Sequence, residues 1–236
     1  EAALVWEPAT PIAGWTRVYS FLSACGLGPL GGPRISPLFL LRDLLEDANR
    51  KSNLTRLVSP EDFWLKHVAD SLAVTRVLPQ LVDGALHVAD VGCGAGFPLL
   101  PLAWANHRSS FTGIEPKRKR AEFVREAAAA LGFGNCRVIA RQAREAAALA
   151  ECRHGFDLVV SRAVAPLEYL IRETRHLLRQ EPGAMLVAYK TPGAAGNEIR
   201  QAAGAARQNG LMLWESPVIE LPCEAGARQF IIAERA

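Results

Sequence analysis

The chain has 236 residues, of which 50% are hydrophobic and 22% are charged, enough for one α/β domain with an extension or for two small domains. No apolar run reaches the roughly 20 residues that cross a bilayer, so we expect no membrane association. The five cysteines are widely spaced and form no C-x-x-C pair, which argues against a disulfide framework and a zinc site. We therefore expect a cytoplasmic protein without a metal.

The net charge is only +3, but the basic residues are unevenly distributed. Residues 108–144 contain nine Lys and Arg against three Glu, and nine minus three leaves an excess of +6. Such an excess is typical of a surface that binds a polyanion. A solvated helix face explains any single one of these residues better, so only the group as a whole indicates nucleic acid.

The chain divides into three parts by pattern. Residues 1–35 are rich in Pro and Gly and are expected to be irregular, with at most a short helix over 14–25. Residues 36–80 predict a helical extension. Residues 81–236 alternate between strands and helices and predict the main domain.

Two helix starts are predicted in the extension. The first helix is expected over 36–50, with Ser36 as its cap and Pro37 in its first turn. The second is expected to begin with Ser59 as cap and Pro60 at the first helical position, and to run to about residue 78.

The main domain predicts an α/β fold. Strands are expected at 86–91, 110–114, 136–140, 156–160, 184–189, 211–220 and 228–233. Helices are expected near 97–106, 117–131, 143–150, 166–179 and 194–208. Helix-linked strands predict a parallel sheet covered on both faces. The last connection is too short for a helical crossover, so the last strand is expected to be antiparallel to its predecessor.

A glycine turn within residues 88–98 is the most informative segment. Its glycines are Gly92, Gly94 and Gly96. A dinucleotide fold needs G-x-G-x-x-G, but its last glycine would fall at Phe97. Asp90 precedes the turn, and glycine lets a ligand lie directly on the backbone. This arrangement resembles motif I of the S-adenosylmethionine-dependent methyltransferases, although a tight turn without a ligand stays an alternative.

Further candidates follow the strands, because ligands bind beyond the carboxyl ends of parallel strands. Glu115 ends the second strand and is expected to accept the hydroxyls of a ribose; a surface cap of the next helix is the alternative. Gln142 and Ala143 follow the third strand, where backbone amides are expected to meet an adenine. Residues 161–163 follow the fourth strand, and Lys190 ends the fifth.

A more specific match extends over roughly residues 40–236. Its elements are Asn53-Leu54-Thr55, His67-Val68-Ala69-Asp70-Ser71, the glycine turn with Phe97-Pro98, Lys119-Arg120, the segment from Phe156 to Ala163, Lys190 and Arg228. With them the chain resembles the bacterial small-subunit ribosomal RNA guanine-N7 methyltransferases, known earlier as glucose-inhibited division protein B. It departs from that family at Gln142-Ala143-Arg144, and residues 1–35 are expected to be specific to its lineage.

The resemblance implies a class I S-adenosylmethionine-dependent methyltransferase, with a Rossmann-like α/β sheet and a helical N-terminal extension. Its substrate would be N7 of a guanine in 16S ribosomal RNA, its partner that RNA or the small ribosomal subunit, and its form a monomer. The cofactor is expected on Asp90, Gly92, Cys93, Gly94, Gly96, Phe97, Glu115, Gln142, Ala143 and Arg162. RNA is expected on Lys117, Arg118, Lys119, Arg120 and Lys190. Ser161 and Arg162 take the catalytic position, with Arg162 placing the RNA or guanine.

The chemistry agrees with this resemblance. Guanine N7 carries a lone pair and no proton, so its methylation needs position and electrostatics rather than a general base. His67 and Asp70 share a helix face, which mainly predicts a helix docked on the sheet and, as the alternative, the mouth of the cofactor site.

Two other functions stay open. One is a methyltransferase that acts on a small molecule, against which the basic excess argues. The other is a non-catalytic RNA-binding or ribosome-assembly protein of the same fold, against which the intact glycine turn argues.

Overall fold

One mixed β-sheet organises the chain. The computed structural model describes residues 12–56 and 59–236, so the expectation for residues 1–11 lies outside the described residues. The strands are β1 (His87–Val91), β2 (Ser110–Ile114), β3 (Cys136–Ile139), β4 (Leu158–Arg162), β5 (Met185–Lys190), β6 (Leu211–Glu215), β7 (Ile219–Glu220) and β8 (Ala227–Arg235). Their order is β3-β2-β1-β4-β5-β8-β6, and β7 pairs with β8.

The directions of the strands confirm the predicted class I methyltransferase sheet. Strands β1 to β5 are parallel, and β8 is antiparallel to β5 and β6. The expected last strand is therefore antiparallel to its predecessor, although its long predecessor is divided into β6 and β7.

Helices cover both faces of this sheet. They are α1 (Trp15–Leu22), α2 (Gly32–Ser52), α3 (Pro60–Asp62), α4 (Asp70–Leu72), α5 (Gln80–Asp83), α6 (Leu99–Ala105), α7 (Arg118–Ala130), α8 (Ala143–Ala146), α9 (Leu167–Thr174) and α10 (Ala195–Gln208). Segments Ser23–Leu27 and Phe63–Ala69 are π-helical, and Ala73–Arg76 and Pro222–Glu224 are 3₁₀-helical. We call the continuous run of α3, Phe63–Ala69, α4 and Ala73–Arg76 the composite helix.

Alternate residues of the strands divide the core between two faces. Val88 and Val160 belong to a hydrophobic cluster that also contains residues of α6, α7 and the N-terminal helices. Ala89 and Val159 point to the opposite face, into a second cluster with α8, α9 and α10. This is the pattern of a parallel sheet buried on both sides.

The N-terminal helices share the first of these clusters, and hydrogen bonds tie them to α6 and to the sheet. The Trp104 indole donates to the Arg34 carbonyl at 2.7 Å, and the Tyr189 hydroxyl donates to the Ser71 carbonyl at 2.9 Å. The domain boundaries at residues 35 and 80 stay predictions, but the described part of 1–35 is not irregular throughout, since it contains α1 and the start of α2.

The two predicted helix starts have different outcomes. Ser59 caps the composite helix as predicted, since its hydroxyl accepts from the Asp62 N–H at 3.0 Å. The start at Ser36 is wrong, because α2 begins at Gly32 and contains Pro37. Proline lacks the N–H that would reach the Pro33 carbonyl, and the Ser36 hydroxyl donates to that carbonyl at 3.1 Å instead. A local polar group thus replaces the missing helical bond.

None of the helices formed by the described residues is long and apolar enough to cross a membrane.

Candidate functional site

A cleft of about 480 Å³ opens at the carboxyl ends of β1, β2 and β4. This volume lies within the roughly 300–1,000 Å³ of small-molecule sites. The glycine turn forms the floor of the cleft, and one wall follows the end of β4. We call the other wall, which comes from the N-terminal helices, the near wall. The residues that line it are Leu54, Thr55, His67, Gly92, Cys93, Gly94, Ala95, Phe97, Glu115, Pro116, Lys117, Arg120, Arg162, Ala163 and Val164.

The glycine turn presents bare backbone to this cleft at Gly94. A Cβ built on Gly92 would lie 2.5 Å from Val164 Cγ2, and one on Gly96 would lie 2.6 Å from Leu100 Cδ1. A Cβ on Gly94 meets only the Gly92 carbonyl, at 3.9 Å. The outer glycines are therefore required by packing within the protein, whereas the space at Gly94 is free for a ligand.

Glu115 ties the glycine turn to the next strand end. The register of β1 and β2 pairs Val91 with Ile114, so the turn and Glu115 begin side by side. The Gly94 N–H donates to Glu115 Oε2 and the Lys117 N–H donates to Oε1, both at 2.9 Å. Each carboxylate oxygen keeps a further lone pair. Glu115 thus lines the cleft, and its acceptance of ribose hydroxyls stays a prediction.

Asp90 is fully buried beneath the turn. Its Oδ2 accepts from the Leu99 N–H at 3.0 Å, and its Oδ1 has no hydrogen-bond partner within the described part of the chain. Burial raises the pKa of Asp90 to about 7, against the opposing effect of the Arg162 charge. Burial thus favours the neutral form of this carboxyl group, which lies beneath a cleft lined by Glu115.

The near wall comes from residues outside the sheet. Leu54 and Thr55 reach the cleft from the chain after α2, and His67 reaches it from the composite helix. The His67 ring stacks on Phe97 of the glycine turn, with centroids 4.3 Å apart and planes 22° from parallel. His67 thus both docks the helix and lines the cleft, so the two interpretations from the sequence describe one arrangement.

Arg162 stands at the end of β4 and lines the cleft. Its Nη1 donates to the Lys66 carbonyl and to Asp70 Oδ2, each at 3.1 Å. Both partners belong to the composite helix. The sequence placed Arg162 at the site, but it did not indicate that Asp70 would hold the arginine, because the two are far apart in the chain and their types alone do not specify a pair.

Two residues expected in the site point elsewhere. Ser161 is buried, and its hydroxyl donates to the Val91 carbonyl at 3.0 Å, so it joins β4 to β1. The Lys190 ammonium donates to Glu198 Oε2 at 2.7 Å and to the Ala165 carbonyl at 3.2 Å. Lys190 is thereby held in an ion pair that links β5 to α10, and its expected contact with RNA stays a prediction.

Gln142 and Ala143 also stand apart from the lining of the cleft. Gln142 precedes α8, and its N–H donates to Glu145 Oε2 at 3.2 Å, while Ala143 is buried in the second hydrophobic cluster. The expected contact with adenine at this strand end stays a prediction without a cleft residue to support it.

The basic segment frames the cleft only in part. Lys117 and Arg120 line it, and Lys119 is exposed beside them. Arg118 is exposed and pairs with Glu122 at 2.9 Å, one turn further along α7. Lys117, Lys119 and Arg120 are therefore the stronger candidates for phosphate contacts.

Cys93 lines the cleft but is not prepared for nucleophilic chemistry. It is buried, and burial raises its pKa well above the ordinary value for a thiol, so the reactive thiolate is disfavoured. Cys223, which directly follows Pro222, contacts the Gly14 carbonyl with its sulfur at 3.6 Å. Within 12–56 and 59–236, no cluster of His, Cys, Asp and Glu side chains could hold a metal ion.

The model of the rRNA small subunit methyltransferase G family matches residues 35–214. The chain belongs to this family. It is 38% identical over 203 residues to the ribosomal RNA small subunit methyltransferase G of Deinococcus deserti, covering 86% of this chain and 81% of that protein. It is 40% identical over 190 residues to the protein of the same name from Solibacter usitatus, covering 80% of this chain and 85% of that protein.

Solved structures agree on the fold. Cofactor-bound Rv0187 from MTB superposes with a TM-score of 0.57 at 19% identity, covering 97% of this chain and 98% of that one. A SAM-dependent methyltransferase from Aquifex aeolicus gives 0.53 at 16% identity, covering 78% of this chain and 98% of that one. The class I methyltransferase fold is confirmed.

Proposed function

We propose that this protein transfers a methyl group from S-adenosylmethionine to N7 of a guanine in the 16S ribosomal RNA of the small subunit. The observation that carries the proposal is a glycine turn that opens onto the cleft at Gly94, in a chain that belongs to the rRNA small subunit methyltransferase G family. The outer glycines are explained by packing within the protein, whereas Gly94 faces open space that a ligand can occupy.

The cleft suits this cofactor. S-adenosylmethionine, when bound, supplies an electrophilic methyl group on a positively charged sulfur. Gly94 gives a ligand access to the backbone, and the Glu115 carboxylate offers acceptors for ribose hydroxyls. The Glu115 carboxyl group lines the cleft, which favours a cationic ligand.

An RNA nucleotide has a route to the cleft. An open groove adjoins the cleft and is lined by Asn49, Asn53, Leu54, Thr55, Arg56 and Arg120. Leu54, Thr55 and Arg120 also line the cleft. No acidic side chain lines this groove in the described chain. Amides and guanidinium groups recognise base edges and phosphates. We assign the groove to the nucleotide that carries the target guanine.

The residues of the cleft fit an acceptor that loses no proton at the methylated atom. His67 is stacked on Phe97, and the buried Cys93 thiol is disfavoured as a nucleophile. Arg162 offers hydrogen-bond donors of the type that guanine O6 and N7 accept. Positioning and electrostatics are then the contributions of this chain to the rate.

We infer that the protein acts as a monomer in the cytoplasm, where it would meet its ribosomal RNA substrate. Its RNA partner is the small-subunit RNA, either free or within an assembling subunit.

The substrate class is tested by incubating the protein with methyl-labelled S-adenosylmethionine and, separately, protein-free 16S rRNA, 23S rRNA, transfer RNA and intact small subunits. Label is expected in 16S rRNA or in the subunit, and not in the other RNAs. Tight binding of 16S rRNA without any transfer would instead support the non-catalytic assembly protein.

A further inference from the structure

Asp70 is a buried carboxylate held between two arginines of the sheet. Its side chain is 4% exposed, and it stands on the composite helix. Arg228, at the start of β8, donates from Nε to Asp70 Oδ1 at 2.6 Å and from Nη2 to Oδ2 at 3.0 Å. Arg162 completes the set from the end of β4. A carboxylate with three charge-assisted hydrogen bonds has one well-defined orientation.

The two arginines differ in their position relative to the cleft. Arg162 lines the cleft, whereas Arg228 and Asp70 stand behind it. Arg162 is further fixed by the Lys66 carbonyl, one turn before Asp70 on the same helix. Of the two arginines bonded to Asp70, Arg162 is the one that lines the cleft, so Asp70 reaches a ligand there through Arg162.

The group formed by Asp70, Arg162 and Arg228 also carries its excess positive charge on the side of the cleft. One arginine is sufficient to neutralise Asp70, and Arg228 already binds both of its oxygens. The second guanidinium leaves the group with a net charge of plus one, carried at the end that faces the cleft. Arg162 is thus held by its Nη1 while its charge stays available to an acceptor on a reactant.

We infer that Asp70 is a positioning residue for methyl transfer, which fixes the Arg162 guanidinium in the wall of the cleft so that it meets an acceptor atom of the bound reactants. The inference rests on the proposed function. It assigns a role in turnover to the element His67-Val68-Ala69-Asp70-Ser71, in addition to the docking of the composite helix.

The test is a double-mutant cycle on kcat/KM for methyl transfer to 16S rRNA, with the melting temperature measured in parallel. The variants are Asp70→Asn, Arg162→Met, their combination, and Arg228→Met. Asp70→Asn and Arg162→Met are each expected to lower kcat/KM by about tenfold or more, and the combination is expected to fall no further than Arg162→Met alone.

A fifth variant, Tyr189→Phe, is the matched control. It removes the hydrogen bond from the Tyr189 hydroxyl to the Ser71 carbonyl, which also ties the composite helix to the sheet, and it leaves the bonds of Asp70 in place. It is expected to lower the melting temperature, but kcat/KM is expected to stay within about threefold of the wild type. If Asp70→Asn alone does not fold, Asp70→Asn/Arg228→Met, which removes one charge of each sign, replaces it and is expected to show a further tenfold loss relative to Arg228→Met alone.

Two results would overturn the inference: equal kcat/KM in Asp70→Asn and Tyr189→Phe, or a combined variant whose loss is the product of the two single losses. These outcomes are distinct from failure of the proposed function. If the wild type transfers no methyl group to RNA, the proposed function fails; if it does so and Asp70→Asn retains its kcat/KM, only the positioning role fails.

Discussion

Gly94 allows a test of the cleft without a steric clash inside the protein. A Cβ at this position meets no protein atom closer than 3.9 Å, so the methyl group of Gly94→Ala enters the space where a ligand would lie. We expect the variant to fold and to bind S-adenosylmethionine at least about tenfold more weakly, which corresponds to about 1.4 kcal/mol. Isothermal titration calorimetry measures this directly.

Gly132→Ala controls for backbone strain in that experiment. Gly94 and Gly132 have positive φ angles of 57° and 69°, and a Cβ on Gly132 meets nothing within 4 Å. Both substitutions therefore carry a similar conformational cost. Unchanged cofactor affinity in folded Gly94→Ala, or equal losses in the two variants, would remove the glycine turn from the binding site.

The raised pKa of Asp90 predicts that the free energy of unfolding depends on pH. Its pKa of about 7 in the folded protein lies above the value of about 3.9 for an unfolded aspartate, because burial disfavours the charged form. Between these values the folded state binds more protons than the unfolded state, so this contribution to stability is complete below about pH 4 and is lost as the pH rises through about 7.

Asp90→Asn should remove this dependence, since the amide oxygen can still accept from the Leu99 N–H but does not titrate. Urea unfolding from about pH 5 to about pH 8 should show the variant gaining on the wild type as the pH rises. The exposed Asp83→Asn serves as control. A difference between Asp90→Asn and wild type that is constant with pH would show that Asp90 stays ionised.

At the level of elements, pattern alone predicted the sheet and failed at one helix start. Hydrophobic runs separated by helices are sufficient to locate β1 to β5, because each buried strand needs apolar residues on both faces. The start of α2 was missed because Ser36 and Pro37 are typical of a helix start, yet here the Ser36 hydroxyl compensates for Pro37 within the helix. Only the three-dimensional structure distinguishes these two uses of a serine before a proline.

Helix α7 is expected to dock RNA through phosphates. Lys117 and Lys119 are exposed at its start beside the cleft. Changing both to Gln should weaken the binding of 16S rRNA and reduce the magnitude of the slope of log K against log salt by about 1.4 to 1.8, since each lost phosphate contact contributes about 0.7 to 0.9. Filter binding across salt concentrations measures the slope.

The matched control for α7 changes Arg200 and Arg207 to Gln. Both arginines are exposed on α10, outside the lining of the cleft. Replacing them removes two positive charges, as does the replacement of Lys117 and Lys119. This variant should keep the slope of the wild type. If the two variants lose the same slope, RNA responds to the net charge of the protein and α7 has no special part.

For the whole molecule, the sequence predicted the half of the site that belongs to strand ends. The glycine turn, Glu115 and Arg162 follow from where parallel strands finish. The near wall could not be located in this way, because Leu54, Thr55 and His67 reach the cleft only once the N-terminal helices pack on the sheet. Their sequence element was recognised from the family resemblance, but no local pattern says which side chains a packed helix presents to a cleft.

The central claim is that the cleft holds S-adenosylmethionine so that its methyl group is transferred to N7 of a guanine in the adjoining groove. It is tested most directly by treating 16S rRNA with the protein and S-adenosylmethionine, then with borohydride and aniline, which cleave RNA at 7-methylguanosine. We predict strand scission at one guanine, absent when Gly94→Ala replaces the wild type at a cofactor concentration that the variant does not bind. Methyl label incorporated into the RNA without such scission would contradict the account, because the acceptor would then be another atom.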